Sequence, residues 1–279
     1  MSKTSGITVA VWFFAMSLQA SFNSNEEAMK TAIITGGGRG IGKAIAKRLA
    51  HEYRVLIVGR TEADLNATAE EIRAQGGVCE IFVGDISKTR TAERCLKVVR
   101  NHGWQLDTLV ANAGIGHGGK TETVSKKSVR DSFTVNVLGN FWFMQESVKL
   151  MLEQGKGGSI CVISSILGVK GYGHQAAYTA SKHALVGMAK SIGLEHGKNG
   201  INVYPLCPSF VESDMTDRVI RGVMEREGLN QKDARRKVAN KNPQKRIIPA
   251  EEVAEMVAFL CSRKVTSLNA NPLIMSGGE

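Results

Sequence analysis

Residues 35–42 read Thr35-Gly-Gly-Gly-Arg-Gly-Ile-Gly42, which places five glycines in seven positions between an apolar run and a helical pattern. Glycines let a backbone turn sharply and approach a pyrophosphate, whose charge is met by the free amides and dipole of a helix N-terminus. The spacing Gly36-x-x-x-Gly40-x-Gly42 differs from the G-x-G-x-x-G pattern of many dinucleotide sites. We therefore predict a dinucleotide-binding turn with a different glycine spacing.

Strand-like and helix-like runs alternate along the chain on both sides of this turn. Short apolar runs predict strands at 31–34, 55–58, 79–83, 108–111, 159–164, 201–206 and 273–275. Strict alternation of strand and helix implies a parallel sheet that is covered on both faces. The sequence therefore predicts one α/β domain with about seven strands.

One basic segment interrupts the alternation. Between Thr216 and Arg246, ten arginines and lysines stand against four acidic residues, a balance of +6 within a net charge of +10 for the chain. We predict one or two lid-like helices here. The charge can meet an acidic partner or a phosphate-bearing ligand, although a solvated helix face is the commoner reading. No nucleic-acid module accompanies it, and no nucleic-acid partner is expected.

The first 28 residues have a different character. Lys3 precedes a twelve-residue apolar run, Ile7 to Leu18, which resembles a signal peptide but is short for a bilayer span. We favour an N-terminal extension at 1–28 and one domain at 29–279. A cytoplasmic protein is expected, and export or membrane association stays open as the alternative.

The five cysteines of the 279-residue chain contain no C-x-x-C pair and have no metal-ligand spacing. Their odd number excludes complete intramolecular pairing, so reduced thiols are the natural interpretation. We expect no metal site.

The end of the second strand predicts which dinucleotide binds. An acidic residue about 20 positions after the glycines would hold the ribose 2′-hydroxyl of NAD. This chain has Gly59-Arg60 there instead. Arg60, together with Arg39 of the glycine turn, can clamp a 2′-phosphate through charge-assisted hydrogen bonds. The predicted cofactor is NADPH/NADP+.

A candidate acid/base pair lies in Tyr178-Thr-Ala-Ser-Lys182. Residues at i and i+4 share one face of a helix. An ammonium group beside a phenol favours the phenolate, and would lower its pKa from about 10 toward neutral pH. We therefore predict that Tyr178 exchanges a proton with a substrate oxygen.

The glycine turn, Ala111-Asn-Ala-Gly114, Ser165 and Tyr178-x-x-x-Lys182 together resemble the motifs of the short-chain dehydrogenase/reductase family, in order and spacing, from Met29 to Gly278. The resemblance implies a Rossmann-like, doubly wound, seven-stranded parallel sheet with helices on both faces and a small helical lid. It also implies a homotetramer or homodimer built through the long helices beside the active site.

The same resemblance implies four catalytic residues. Tyr178 matches the acid/base, and Lys182 matches the residue that lowers its pKa and holds the nicotinamide ribose. Ser165, rather than its neighbour Ser164, matches the serine that binds the substrate carbonyl. Asn136 matches the asparagine that supports a water relay to the lysine.

Cofactor contacts follow from the resemblance as well. Asp85 corresponds to the acidic residue near the adenine, and Pro208 to Ser213 correspond to the segment beside the nicotinamide. The expected cofactor-binding residues are Gly36, Arg39, Gly40, Ile41, Gly42, Arg60, Asp85, Asn112, Ala113, Gly114, Tyr178, Lys182, Pro208, Val211 and Ser213. Two positions depart from the family pattern, because Ser209 replaces a glycine and Tyr204 replaces an asparagine.

The implied reaction reduces a ketone to a secondary alcohol, with hydride from NADPH and a proton from Tyr178. The substrate expected is a small-molecule carbonyl compound. We slightly favour a 3-oxoacyl thioester on acyl carrier protein or coenzyme A, since the basic lid would attract an acidic carrier. A free hydrophobic ketone or alcohol is the alternative, and His117, His174, Gln175, Phe210 and Met215 are expected around the cleft. A non-catalytic NADPH-sensing protein is the alternative of another class.

Overall fold

The computed structural model describes residues 29–116 and 118–279. Its strands form one sheet in which all neighbours are parallel. The strands are β1 Thr31–Thr35, β2 Arg54–Gly59, β3 Cys79–Val83, β4 Leu106–Ala111, β5 Gly158–Ile163, β6 Ile201–Pro208 and β7 Leu273–Met275, in the order β3-β2-β1-β4-β5-β6-β7. The prediction of a seven-stranded parallel sheet is confirmed.

Helices follow the strands in turn and cover both faces. They are α1 Gly40–Leu49, α2 Glu62–Ala74, α3 Thr89–Asn101, α4 Lys126–Ser132, α5 Asn140–Gln154, α6 Ala176–His196, α7 Asp214–Glu227, α8 Gln231–Ala239 and α9 Ala250–Cys261. A π-helical turn, Phe133–Gly139, joins α4 to α5, and 3-10 turns lie at Ile166–Gly168, Gly197–Asn199 and Thr266–Leu268.

Two hydrophobic cores explain why the strands read as continuous apolar runs. Successive side chains of a strand point to opposite faces, so Ile34 joins a core with Ile45 and Val257, while Ile33 joins a core with Phe143 and Leu185. All these side chains are fully buried. Parallel strands that are covered on both faces need apolar residues at every position.

The order of the strands reverses between β1 and β4, which are neighbours in the sheet although β2 and β3 intervene in the chain. The loops that leave the carboxyl ends of these two strands run to opposite faces and open a crevice between them, where ligands of such sheets bind. The glycine turn leaves β1 at this point, and Asn112 follows β4.

The basic segment folds as two helices, α7 and α8, around a small core of Ile220, Val223, Ala234, Val238 and Ile247. The predicted helical lid is confirmed. Several of its basic residues have acidic partners: Arg235 pairs with Glu212, Arg236 with Asp233, Lys237 with Glu227 and Arg246 with Glu252. The uncompensated positive charge is therefore smaller than the count of basic residues suggests.

The extension proposed for residues 1–28 lies outside the described residues. Across 29–116 and 118–279, no helix is long and apolar enough to cross a membrane. The same residues contain no group of three or more His, Cys, Asp or Glu that could hold a metal ion. All five cysteines are buried and free.

Candidate active site and dinucleotide cleft

The glycine turn takes a backbone path that side chains would obstruct. Gly36 and Gly40 have φ values of +70° and +52°. A Cβ on Gly42 would stand 2.1 Å from the Gly36 carbonyl oxygen and 2.6 Å from Asn112 Nδ2. The turn therefore passes so close to the start of α1 that only glycine fits at position 42 without a backbone shift.

Gly42→Ala is expected to lower the free energy of unfolding by about 1–3 kcal/mol, because the new methyl group overlaps backbone that cannot rotate away. Thermal unfolding of the purified variant measures this. Gly187→Ala is the matched control, since no atom lies within 4 Å of its added Cβ and alanine favours a helix by about 0.5–1 kcal/mol. Equal stability of the Gly42→Ala variant and the wild type would contradict this packing argument.

Thr35 and Asn112 fasten the glycine turn to the end of β4. The Thr35 hydroxyl accepts hydrogen bonds from the amides of Asn112 and Ala113 at 2.9 and 3.0 Å. Asn112 Nδ2 donates to the Thr35 carbonyl at 2.9 Å. Thr35 was not among the predicted site residues; its position directly before the first glycine is the signal that could have identified it.

A cleft of about 290 Å³ opens at this crevice. It is lined by every expected cofactor residue except Pro208 and Val211, and also by Thr61, Asp64, Ile86, Val135, Asp214, Met215 and Arg218. Val211 instead helps to form the start of α7, where its carbonyl accepts hydrogen bonds from the side chains of Ser213 and Thr216 at 3.1 and 2.6 Å. The cleft thus joins the glycine turn, the ends of β2 and β4, and the lid.

Two arginines stand at one end of the cleft. Arg39 bridges the glycine turn to its surroundings, with Nε 3.2 Å from Asp64 Oδ2 and Nη1 3.3 Å from Asp214 Oδ2. Arg60 is exposed directly after β2 and lines the same cleft. Two guanidinium groups beside a glycine-rich helix N-terminus suit a dinucleotide with an additional phosphate. The carboxylate partners of Arg39 were not foreseen from the sequence.

Tyr178 and Lys182 lie on α6 at the other end of the cleft. Lys182 Nζ is 5.7 Å from the centre of the Tyr178 ring and donates a hydrogen bond to the Ile163 carbonyl at 2.9 Å. Burial lowers the pKa of Lys182 to about 8. The side chain is 4% exposed, so the ammonium is held by the end of β5 rather than by solvent.

The expected lowering of the Tyr178 pKa is wrong for this structure. Burial raises the pKa of Tyr178 to about 12, and a hydrogen bond with the Ser165 side chain acts in the opposite direction without overcoming it. The neutral phenol is favoured because burial penalises the phenolate. Tyr178 therefore keeps its proton at neutral pH, as a proton donor must.

The structure distinguishes the two neighbouring serines. Ser165 hydrogen-bonds Tyr178, while the Ser164 hydroxyl donates to the Lys182 carbonyl at 3.0 Å within the protein interior. Ser165 also accepts a hydrogen bond from the Leu167 amide at 3.1 Å, which fixes its side chain at the start of the 3-10 turn. Ser165 therefore adjoins the tyrosine, whereas Ser164 lines the cleft together with Tyr178 and Lys182.

Asn136 is fully buried in the π-helical turn. The sequence pattern did not predict this irregular turn, and such turns are frequent at functional sites. Its side chain accepts from the Ile115 amide at 2.8 Å and donates to the Ile115 carbonyl at 2.9 Å and to the Ser181 hydroxyl at 3.0 Å. A Cβ on Gly114 would lie 3.2 Å from Asn136 Oδ1 and 3.6 Å from Lys182 Nζ. Asn136 therefore lies behind the cleft wall, close to Lys182.

Met215 covers the tyrosine from the lid. The Tyr178 hydroxyl lies 3.8 Å from Met215 Sδ, in the geometry of a weak hydrogen bond to sulfur.

Of the other residues expected around the cleft, Gln175 adjoins Gly118, Phe210 packs against the lid core, and His117 lies outside the described residues. Of the five residues expected around the cleft, Met215 is the one that lines it among the described residues.

Comparison with known proteins shows which family this chain resembles. The family model for short chain dehydrogenases matches residues 30–223. A 3-oxoacyl-(acyl-carrier-protein) reductase of Rickettsia felis is 34% identical over 252 residues, which are 89% of this chain and 96% of that protein. Levodione reductase of Leifsonia aquatica is 29% identical over 90% of this chain and 94% of its own length.

Among solved structures, a single-residue variant of actinorhodin polyketide ketoreductase with NADPH is similar at a TM-score of 0.86 and 33% identity, over 90% of this chain and 97% of that one. Because the family model and a relative above 30% identity both span most of the chain, the protein belongs to the short-chain dehydrogenase family.

Proposed function

We propose that this protein is an NADPH-dependent oxidoreductase that reduces a ketone to a secondary alcohol. The observation that carries the proposal is one cleft with a glycine-rich turn and two arginines at one end and Tyr178 and Lys182 at the other. The ketoreductase and 3-oxoacyl reductase names of its relatives support the same reaction. Neither end of the cleft alone would distinguish a cofactor-binding protein from an enzyme.

The chain's own residues account for the proton in this reaction. When bound, the reduced nicotinamide supplies a hydride to the carbonyl carbon of the ketone. The Tyr178 hydroxyl donates its proton to the carbonyl oxygen, and Ser165 orients that oxygen by a second hydrogen bond. The raised pKa of Tyr178 keeps the proton available at neutral pH.

Lys182 and Asn136 act as positioning residues in this proposal. Lys182 is fixed by the Ile163 carbonyl, and its cationic form would stabilise the negative charge that develops on Tyr178 as Tyr178 gives up its proton. Asn136 hydrogen-bonds the Ile115 backbone and the Ser181 hydroxyl, and so joins the segment after β4 to the helix that carries Lys182. Both residues lie beside Gly114, where the nicotinamide ribose is proposed to rest.

The other end of the cleft is proposed to hold the adenosine phosphates. The α1 N-terminus and the turn from Gly36 to Gly42 would bind the pyrophosphate, and Arg39 and Arg60 the 2′-phosphate. Asp85, whose carboxylate accepts a hydrogen bond from the Ser87 amide at 2.9 Å, is proposed to lie beside the adenine. Pro208 and Val211 would shape the backbone before the lid.

For the substrate we propose a 3-oxoacyl thioester carried by acyl carrier protein or coenzyme A. Arg218 lines the cleft, and Arg221 is exposed about one turn later on the same lid helix, so positive charge borders the opening. An anionic carrier would be attracted to such a rim. A free ketone is the second candidate, since the four ion pairs of the lid reduce this charge and levodione reductase is not named for a carrier-bound substrate.

The assembly and location proposed from the sequence remain proposals. Exposed apolar side chains at Phe133, Leu138 and Leu194, on the helical run beside the active site, support a homodimer or homotetramer. Five buried, free cysteines support a reducing, cytoplasmic environment.

The test is consumption of NADPH, followed at 340 nm, with a panel of ketones that includes acetoacetyl thioesters. For an acetoacetyl group on acyl carrier protein we expect kcat/KM to fall at least about tenfold between about 0.05 and 0.5 M salt, as the Debye length shrinks from roughly 14 to 4 Å. An uncharged ketone is the control and should show little change.

The possible outcomes separate the candidates. A rate with carrier-bound substrate that does not depend on salt would contradict electrostatic steering. Activity on free ketones without activity on any 3-oxoacyl thioester would favour the second candidate. NADPH binding without turnover of any ketone would leave a non-catalytic NADPH-sensing protein.

A further inference from the structure

A carboxylate outside the cleft lining connects two segments, each of which adjoins an active-site element in the chain. The Glu279 side chain is only 12% exposed, and its Oε1 lies 2.8 Å from Lys170 Nζ. Its other oxygen accepts a short hydrogen bond from the Ser209 hydroxyl. A charged group this well enclosed is held by both partners, because burial of an unpaired carboxylate would be costly.

The two partners belong to segments that are far apart in the chain. Lys170 begins the 169–175 loop, which runs from the 3-10 turn after Ser165 to the start of α6, the helix of Tyr178. Ser209 follows β6 directly and leads into the lid helix α7. Glu279 therefore joins the loop that precedes the tyrosine to the segment that precedes the lid.

Ser209 is also the residue that replaces the usual glycine of the family pattern. Its amide donates to the Met275 carbonyl at 2.9 Å, and its side chain reaches Glu279. A glycine at this position would offer no hydroxyl to the carboxylate. The departure in sequence thus has a structural counterpart in the contact with Glu279.

The 169–175 loop has few other attachments. Gly171 and Gly173 have no atoms within 4 Å of an added Cβ, and Tyr172 is 43% exposed, with Lys241 Nζ 5.8 Å from its ring centre. His174 has a φ of +62°, an uncommon conformation for a residue with a side chain, while its carbonyl accepts from the Gly119 amide at 2.8 Å. Among the described residues, the Lys170–Glu279 pair is the one ion pair of this loop.

We propose that Glu279 is a positioning residue for substrate binding, which holds the 169–175 loop against the Ser209 segment so that a ketone binds in register with Tyr178. The inference rests on the proposed reductase function. Loops that border a site align the substrate, and displacement of about 1 Å can change the reaction rate about 100-fold. Because Glu279 lies apart from Tyr178 and Lys182, its loss should affect the fit of the ketone more than proton transfer.

The first measurement is amide hydrogen exchange of the full chain without substrate. Glu279→Gln keeps the shape of the side chain but removes its charge, and should raise exchange in peptides from 166–178 and 209–213 by about tenfold, with other peptides unchanged. Glu153→Gln is the matched control, since Glu153 pairs with Arg100 at 2.8 Å on an exposed surface. Unchanged exchange in both peptides would overturn the proposal.

The second measurement is steady-state kinetics with the ketone that the panel identifies. We expect Glu279→Gln to raise KM about tenfold while kcat changes less than about threefold. The double variant Lys170→Glu with Glu279→Lys exchanges the two charges, and its KM should return most of the way to the wild-type value. Equal losses in kcat and kcat/KM with an unchanged KM would refute a positioning role.

Two parts of these experiments separate a failure of the Glu279 inference from a failure of the proposed reductase function. Hydrogen exchange requires no turnover, so a failure of the proposed reductase activity would leave the loop measurement intact. If Glu279→Gln does not fold, Ser209→Gly removes one partner of the carboxylate and restores the residue usual at that position. Normal exchange and normal KM in that variant would then overturn the inference.

Discussion

Tyr178→Phe is expected to lower kcat about 100- to 10,000-fold, which is the range that a positioned general acid contributes. The substitution removes the hydroxyl that hydrogen-bonds Ser165 and faces Met215, but keeps the ring that packs near Lys182. The loss should appear equally in kcat and kcat/KM, since the proton is needed in the transition state. NADPH oxidation with the best ketone of the panel gives both constants.

Tyr204→Phe provides a matched control for this change. Tyr204 is fully buried on β6, and its hydroxyl is a buried group without a hydrogen-bond partner among the described residues. Removal of an unsatisfied buried hydroxyl should leave activity unchanged and the fold at least as stable. Near-normal turnover in the Tyr178→Phe variant would refute the proposed proton donor, whatever the control shows.

Arg60→Asp is expected to reverse the cofactor preference, with the ratio of kcat/KM for NADPH to that for NADH falling at least about 100-fold. A charge-assisted hydrogen bond contributes about 1.5–3 kcal/mol, so loss of the guanidinium and repulsion by a new carboxylate together reach this size. The carboxylate would also be placed to accept the ribose 2′-hydroxyl of NADH. Kinetics with both cofactors at one fixed ketone concentration measure the ratio.

Substitution of Arg60 should change the cofactor preference more than substitution of Arg39, because the two arginines have different partners in the structure. Arg39 is already paired with Asp64 and Asp214, and must exchange those contacts for a phosphate. No ion pair joins Arg60 within residues 29–116 and 118–279. Arg226→Asp, at an exposed position of the lid helix away from the cleft lining, controls for the same change in net charge. An unchanged preference in Arg60→Asp would contradict the assignment of the 2′-phosphate site.

The family and the reaction type were predictable because their signals are local. The glycine turn follows a backbone path that leaves no room for side chains, and the glycines that permit this path all lie in one short segment. Tyr178 and Lys182 share a helix face because they are four residues apart. The alternation of apolar strands with helical runs likewise determines a parallel sheet before any tertiary contact is known.

The amino-acid sequence by itself therefore determined the α/β fold, the glycine-rich turn and the candidate acid/base pair. Only the tertiary structure decided the direction of the Tyr178 pKa, because the burial that raises it depends on residues far away in the chain. The partners of Arg39 and the contact of Ser209 with Glu279 are equally long-range. Such contacts depend on how separate segments pack, and no local pattern of residues encodes them.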